Sequence, residues 1–148
     1  MTKINIAKQE FSKKYSTIEE AEELLPEIEK ILRRTIRLNK ALELLSSIEI
    51  EDYDDYANLR RITKSNKEFH KLSYEFYSNI EKLEEMSCII KDLETGLIDF
   101  YHKFEGRDIF LCWKLGEKNM KFWHEVDTGY MGRKPILDLG KEYSEEHK

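Results

Sequence analysis

The chain has 148 residues, with 25 Lys and Arg against 30 Asp and Glu, for a net charge of −5. A chain of this length is one domain's worth and buries enough surface to fold without disulfides or a structural metal. Charged residues make up 37%, hydrophobic ones 40% and aromatic ones 11%, a balance that excludes a membrane-spanning, collagenous or wholly disordered chain.

The negative balance is spread along the chain. The densest basic run, Arg33, Arg34, Arg37 and Lys40, lies among Glu22, Glu23, Glu27 and Glu29, which fits a solvated helix face and not a nucleic-acid footprint. No stretch approaches the ~18 apolar residues of a transmembrane helix, so no membrane partner is expected. Residues Met1 to Ser12 alternate charged and apolar side chains and do not resemble a secretory signal. Cys88 and Cys112 form neither a CxxC pair nor a zinc-ligand spacing, so a reducing, cytoplasmic setting with free thiols is expected.

Two long helices come first. Ser16 with Glu19 has capping-box spacing, and acidic residues follow where the helix dipole favours them. Pro26 either marks the true start of the helix or kinks it. Beyond it Leu24, Ile28, Ile31, Thr35, Leu38, Leu42 and Leu45 form one apolar stripe. The polar stretch Ser46 to Asp55 breaks the pattern. A second stripe then runs through Leu59, Ile62, Asn66, Phe69, Ser73, Phe76, Ile80 and Leu83, with Asn66 and Ser73 set into the seam. Two such helices fold back as an antiparallel hairpin of coiled-coil character, ~45 Å long at ~1.5 Å per residue.

All six glycines lie after residue 95, where the period changes from helical to alternating. A short strand is expected at Ile89 to Leu93. Longer ones are expected at Leu97 to Phe104, Ile109 to Leu115 and Lys121 to Asp127, separated by turns at Glu105 to Asp108 and Gly116 to Asn119. A first turn centred on Gly106 and Arg107 puts Ile98, Phe100, His102 and Phe104 beside Ile109, Leu111, Trp113 and Leu115 on the face that the hairpin covers. The other face holds Asp99, Tyr101, Cys112 and Lys114. The expected register of the third strand adds Trp123, Glu125 and Asp127 there, and a one-residue slip would substitute Phe122, His124 and Val126. The expected fold is α+β: a long antiparallel two-helix hairpin, residues 16–86, packed on a small C-terminal antiparallel β-meander, residues 88–136, with a polar tail over 137–148, all in one domain.

Several short words stand in fixed order: Asp92 to Phe100, Gly106-Arg107, Leu111-Cys112-Trp113, Gly116-Glu117, Trp123 to Asp127 and Gly132 to Ile136, preceded by Tyr15 to Ala21 and Leu24-Leu25-Pro26. Together they resemble an uncharacterised bacterial and archaeal family, domain of unknown function 2203. The resemblance implies a helical hairpin followed by the aromatic and acidic C-terminal segment, and it supplies no activity. Where the family has a proline-led turn after Asp99-Phe100, this chain continues as Tyr101-His102-Lys103-Phe104.

Candidate chemistry concentrates after residue 87. Asp99, His124, Glu125 and Asp127, near Asp92 and Glu94, offer carboxylates and an imidazole to a divalent metal such as Mg²⁺, Mn²⁺ or Zn²⁺. His124 and Glu125 point to opposite faces of a strand, so both ligate one ion only across a bulge. The competing reading is cross-strand ion pairs such as Asp99 with Lys114. A second reading makes the same face a pocket for a small anionic ligand, with Trp123 and Tyr101 as walls, Cys112 at the floor and Arg133 as the anion clamp. Against it, both tryptophans are core aromatics and Arg133 is an ion-pair partner. Cys112 with His124 or His102 is a weak nucleophile candidate, and no reaction is assigned. The alternative to a binding site is a homo-oligomeric scaffold or interaction module, most simply a dimer, with Tyr74 and Tyr77 at the contact.

Overall fold

The computed structural model describes residues 13–47, 55–137 and 139. The expectations for Met1 to Ser12, for the centre of the Ser46 to Asp55 break and for nearly all of the polar tail lie outside these residues. Helix α1 spans Ile18–Ser46 and α2 spans Asp55–Glu85. Five strands follow, β1 (Ile89–Asp92), β2 (Leu97–Phe104), β3 (Arg107–Lys114), β4 (Phe122–Glu125) and β5 (Lys134–Pro135). They form one sheet in sequence order, with every neighbouring pair antiparallel. The α+β architecture is as expected, with β5 an addition to the meander. No described helix is long and apolar enough to cross a membrane.

The N-cap of α1 is Thr17, one residue beyond the expected Ser16. Its hydroxyl accepts from the Glu20 backbone N–H at 3.1 Å, and the Glu20 carboxylate accepts from the Thr17 N–H at 3.3 Å, which completes a capping box. Ser16 is engaged elsewhere: its N–H donates to the Tyr101 carbonyl at 2.8 Å, beside a parallel bridge between Tyr15 and Tyr101. The helix begins eight residues before Pro26 and runs through it. Glu22 and Pro26 both lie on the solvent side, where water can satisfy the carbonyl that the missing proline N–H leaves free.

The helical seam is wider than the expected stripe. Ala21, Leu25 and Leu32 of α1 are buried together with Ile28, Thr35 and Leu38. In α2 the burial follows Asn58, Leu72 and Asn79 beside Phe69, Phe76 and Leu83. Asn66 is exposed and Ser73 half-buried, so the polar residues inside the seam are Asn58, Asn79 and Thr35 instead. The 59–66–73–80 and 58–65–72–79 columns are one residue apart, and Phe69, Phe76 and Leu83 flank the inner one.

The β2–β3 hairpin turns on Glu105 and Gly106, both at positive φ (51° and 75°), which is the two-residue connection that suits strand twist. Ile98 pairs with Trp113, Phe100 with Leu111 and His102 with Ile109. These partners are two residues from those expected. Because side chains alternate with period 2, the face assignment survives. The helix-facing side of the sheet, with Ile98, Phe100, Phe104, Ile109, Leu111, Trp113 and Trp123, joins Ala21, Leu25, Ile28 and Leu32 of α1 and Leu83 of α2 in one core.

In β4 the register is the slipped one. Trp123 lies opposite Leu111, on the core side, and is fully buried, while Phe122 and His124 lie opposite Cys112 and Phe110. The indole buries more apolar area against the helices than Phe122 could, and the opposite choice would put an imidazole among aliphatic side chains. The expectation that Trp123, Glu125 and Asp127 share a face with Asp99 is therefore corrected.

Candidate functional site

Parity and pairing build the site on the sheet face turned away from the helices. Asp99 of β2 lies directly opposite Cys112 of β3, and His124 of β4 comes in from the next strand. His124 Nε2 lies 2.9 Å from Asp99 Oδ2, so these two side chains reach across β3 to each other. One ligand atom from each of Asp99, Cys112 and His124 falls within 4.8 Å of the other two. Their exposures are 1%, 0% and 2%, so this face is closed at that point and not an open groove. The Phe110 ring lies against His124 and Tyr101, at 5.4 and 4.6 Å, with the Lys91 ammonium 4.5 Å above it.

Hydrogen-bond chemistry fixes the proton positions. His124 Nδ1 is 2.7 Å from the Glu125 carbonyl oxygen, which can only accept, so Nδ1 carries a proton. Nε2 faces a carboxylate. Burial pulls the imidazole pKa down, but the hydrogen bonds to Asp99 and to the Glu125 carbonyl, with the Asp99 charge, outweigh it and leave the net shift upward. Among the described residues no nitrogen or oxygen donor reaches Asp99 Oδ1, and the neighbouring Cys112 thiol interacts with the Asp99 carboxylate. The Cys112 thiol is pushed up to about 12, first by burial and then by the neighbouring Asp99 charge. A thiol held that high is not a nucleophile near neutral pH, and Cys88, also at about 12, is no better.

The remaining candidates are placed elsewhere. Glu125 is bound by Arg107, whose guanidinium donates to it at 2.8 and 3.2 Å. Asp127 is exposed in the turn after β4. Asp92 accepts from the Thr95 hydroxyl at 2.8 Å, and Glu94 is exposed. Lys114 does not join Asp99, and its ammonium lies 5.4 Å from the Tyr130 ring centre. Arg133 donates to Glu117 at 2.6 Å and stacks over Phe122 and Tyr130, at 4.0 and 4.9 Å. Tyr101 is half-buried and belongs to a cluster with Tyr15, Phe110 and Lys13. His102 Nδ1 faces the Ser16 carbonyl oxygen at 2.8 Å, which ties the N-terminal segment to β2. Of the four residues proposed as metal ligands from sequence, the fold brings together Asp99 and His124. The third member, Cys112, shares the parity of Asp99 across the hairpin, and that was its signal.

The donor set can be tested against an ion. Donors bound at ~2.0–2.3 Å stand at most ~4.6 Å apart across one metal, so the observed spread closes with small side-chain movements. His124 already donates its other ring N–H to a backbone carbonyl, the support that ligating histidines use. Nitrogen, oxygen and sulfur together suit zinc-class ions and not Mg²⁺ or Ca²⁺. The residues present fit such an ion.

No curated protein and no solved structure matches the chain. A family model described as an uncharacterized conserved protein, DUF2203, matches residues 14–136, from the segment before α1 through β5. With both helices, all five strands and the Asp99, Cys112 and His124 cluster inside that match, the chain belongs to the DUF2203 family.

Proposed function

We propose that this protein binds one divalent transition-metal ion of the zinc class through Asp99, Cys112 and His124. The observation that carries the reading is the convergence of one donor atom from each of three buried residues, an oxygen, a sulfur and a nitrogen, within 4.8 Å of one another. An ion there would bring the Cys112 thiol to its thiolate and take the place of the proton between Asp99 and His124. The site is too enclosed for a substrate, so the role is retention of the ion and stabilisation of the sheet, with no reaction assigned. Arg133 is outside the proposal because its guanidinium already holds Glu117. Two buried free cysteines suit a reducing, cytoplasmic setting.

The test is elemental analysis of protein purified without a metal-affinity tag, with thermal melts of stripped protein plus and minus Zn²⁺. The expected result is one ion per chain and a melt raised by roughly 5–10 °C at Zn²⁺ ~100-fold above its dissociation constant. Co²⁺-loaded protein should show a thiolate-to-metal absorption band that Cys112→Ser removes. Stripped protein that takes up no metal and whose melt does not move would overturn the proposal.

A further inference from the structure

The hairpin carries a surface that neither the core nor the metal proposal uses. On α2, positions 59, 63, 66, 70, 73 and 77 advance by 4, 3, 4, 3 and 4 and so form one stripe along the helix. They hold Leu59, Thr63, Asn66, His70, Ser73 and Tyr77, with no charged residue among them, although Arg60, Arg61, Lys64, Lys67, Lys71 and Glu75 occupy the positions between. The stripe lies beside the seam with α1, yet Leu59 is 61% exposed and Tyr77 69%, and the flanking Tyr74 is 78% exposed. The Thr63 hydroxyl donates to the Leu59 carbonyl at 2.8 Å, so its donor is used within the helix. Single exposed apolar side chains are ordinary, but an uncharged stripe over five helical turns in so charged a chain is a surface awaiting cover.

The order of residues along the stripe indicates what covers it. Apolar Leu59 stands at one end and Tyr77 at the other, with Thr63, Asn66, His70 and Ser73 between. Read backwards, the stripe has the same spacing and the same polarity. A second α2 laid antiparallel about the midpoint puts Leu59 on Tyr77, Thr63 on Ser73 and Asn66 on His70, apolar on apolar and polar on polar. Such self-complementarity is what an isologous twofold interface requires. The stripe and Tyr74 would bury roughly 600–800 Å² on each copy, close to the share that each partner contributes to a standard specific interface and so enough for a stable pair. We propose that the chain forms a homodimer by antiparallel packing of α2 on α2 through this stripe, the two hairpins together making a four-helix bundle.

Sedimentation equilibrium of the full chain across concentration, with Leu59→Lys and Tyr77→Glu variants, tests the pairing. The wild type should dimerise in the micromolar range. Each variant alone should weaken the dimer by about tenfold or more while leaving the far-ultraviolet circular dichroism and the melt of dilute protein unchanged. Mixing the two variants should restore dimer, because the lysine introduced at position 59 of one copy then meets the glutamate introduced at position 77 of the other, while the second contact stays native. A wild type that stays monomeric, a dimer that survives both substitutions, or a mixture that stays monomeric would each overturn the proposal.

Discussion

The sheet buries side chains on both of its faces, whereas the hairpin buries one flank of α1 and little of α2. On the sheet, Trp113 and Leu111 face the helices at 1% and 0% exposure, and Asp99 and Cys112 on the reverse face are equally closed. In α2, between Asn58 and Asn79, no described residue is fully buried, and Leu59, Tyr74 and Tyr77 project into solvent. Alternation in a strand assigns each residue wholly to one face or the other. A long two-helix hairpin has more surface than one small sheet can cover. The sheet therefore carries the stability and the polar cluster, and much of the far part of α2 stays exposed.

The largest way to break this comparison is to truncate one side chain in each region. Trp113 packs in the core and donates its indole N–H to the Glu117 carbonyl at 3.0 Å. Trp113→Ala would open a cavity and strand that acceptor, at a cost of about 3–5 kcal/mol, a large share of a typical domain's stability. Leu44, 68% exposed near the end of α1, offers the contrast, and Leu44→Ala should change stability by no more than about 0.5 kcal/mol. Urea denaturation of both variants checks the ratio. Comparable losses would mean that the hairpin tip is as much a part of the folding unit as the sheet.

A smaller effect sharpens the claim that turn geometry sets the sheet. Gly96 joins β1 to β2 at φ 70°, and its carbonyl accepts from the Leu115 N–H at 3.0 Å. A Cβ placed there would stand 2.6 Å from the Leu115 Cβ, so the backbone angle and the space both require glycine. Gly96→Ala should lower stability by about 1–3 kcal/mol in the same assay. Gly106, also at positive φ but with open space around it, should tolerate alanine better.

The same contrast explains what could be read from the residues alone. Face assignments in β2 and β3 held because moving the turn by one residue, from Gly106-Arg107 to Glu105-Gly106, shifts the cross-strand pairing by two, a whole period of the strand. In β4 both parities carry an aromatic residue, Trp123 or Phe122, and both carry a candidate ligand, Glu125 or His124, so alternation could not choose between them. Burial of the indole against the helices decided it, and that is a tertiary fact. The site suffered the same ambiguity: Asp99 and His124 were named as ligands, whereas Cys112, already placed on the Asp99 face, was read as a pocket floor or a weak nucleophile and not as their companion ligand. In α2 the outer column, Leu59, Asn66, Ser73 and Ile80, looked the more apolar, and the inner one, Asn58, Ser65, Leu72 and Asn79, was concealed by its three polar residues.

The smallest effect concerns the point where the N-terminal segment meets the sheet. Asp108, at the start of β3, accepts from Lys13 at 3.0 Å and pairs with Lys103 at 2.8 Å. Hydrogen bonds from Lys103 and Lys13 hold its carboxyl down at about 2. A depressed carboxyl contributes stability that is present above its unfolded value, near 3.8, and is lost as pH falls through about 2. The pairs are exposed, so the contribution is slight and salt-sensitive. Wild-type protein should lose a little more stability than Asp108→Asn between about pH 4 and pH 2, the two curves should run parallel above about pH 5, and added salt should shrink the difference. Equal acid slopes in the two proteins would show that the Lys13 and Lys103 contacts do not hold the segment to the sheet in solution. In that case the Ser16 N–H bond to the Tyr101 carbonyl and the His102 contact with the Ser16 carbonyl would be what keeps α1 anchored at its N-terminus.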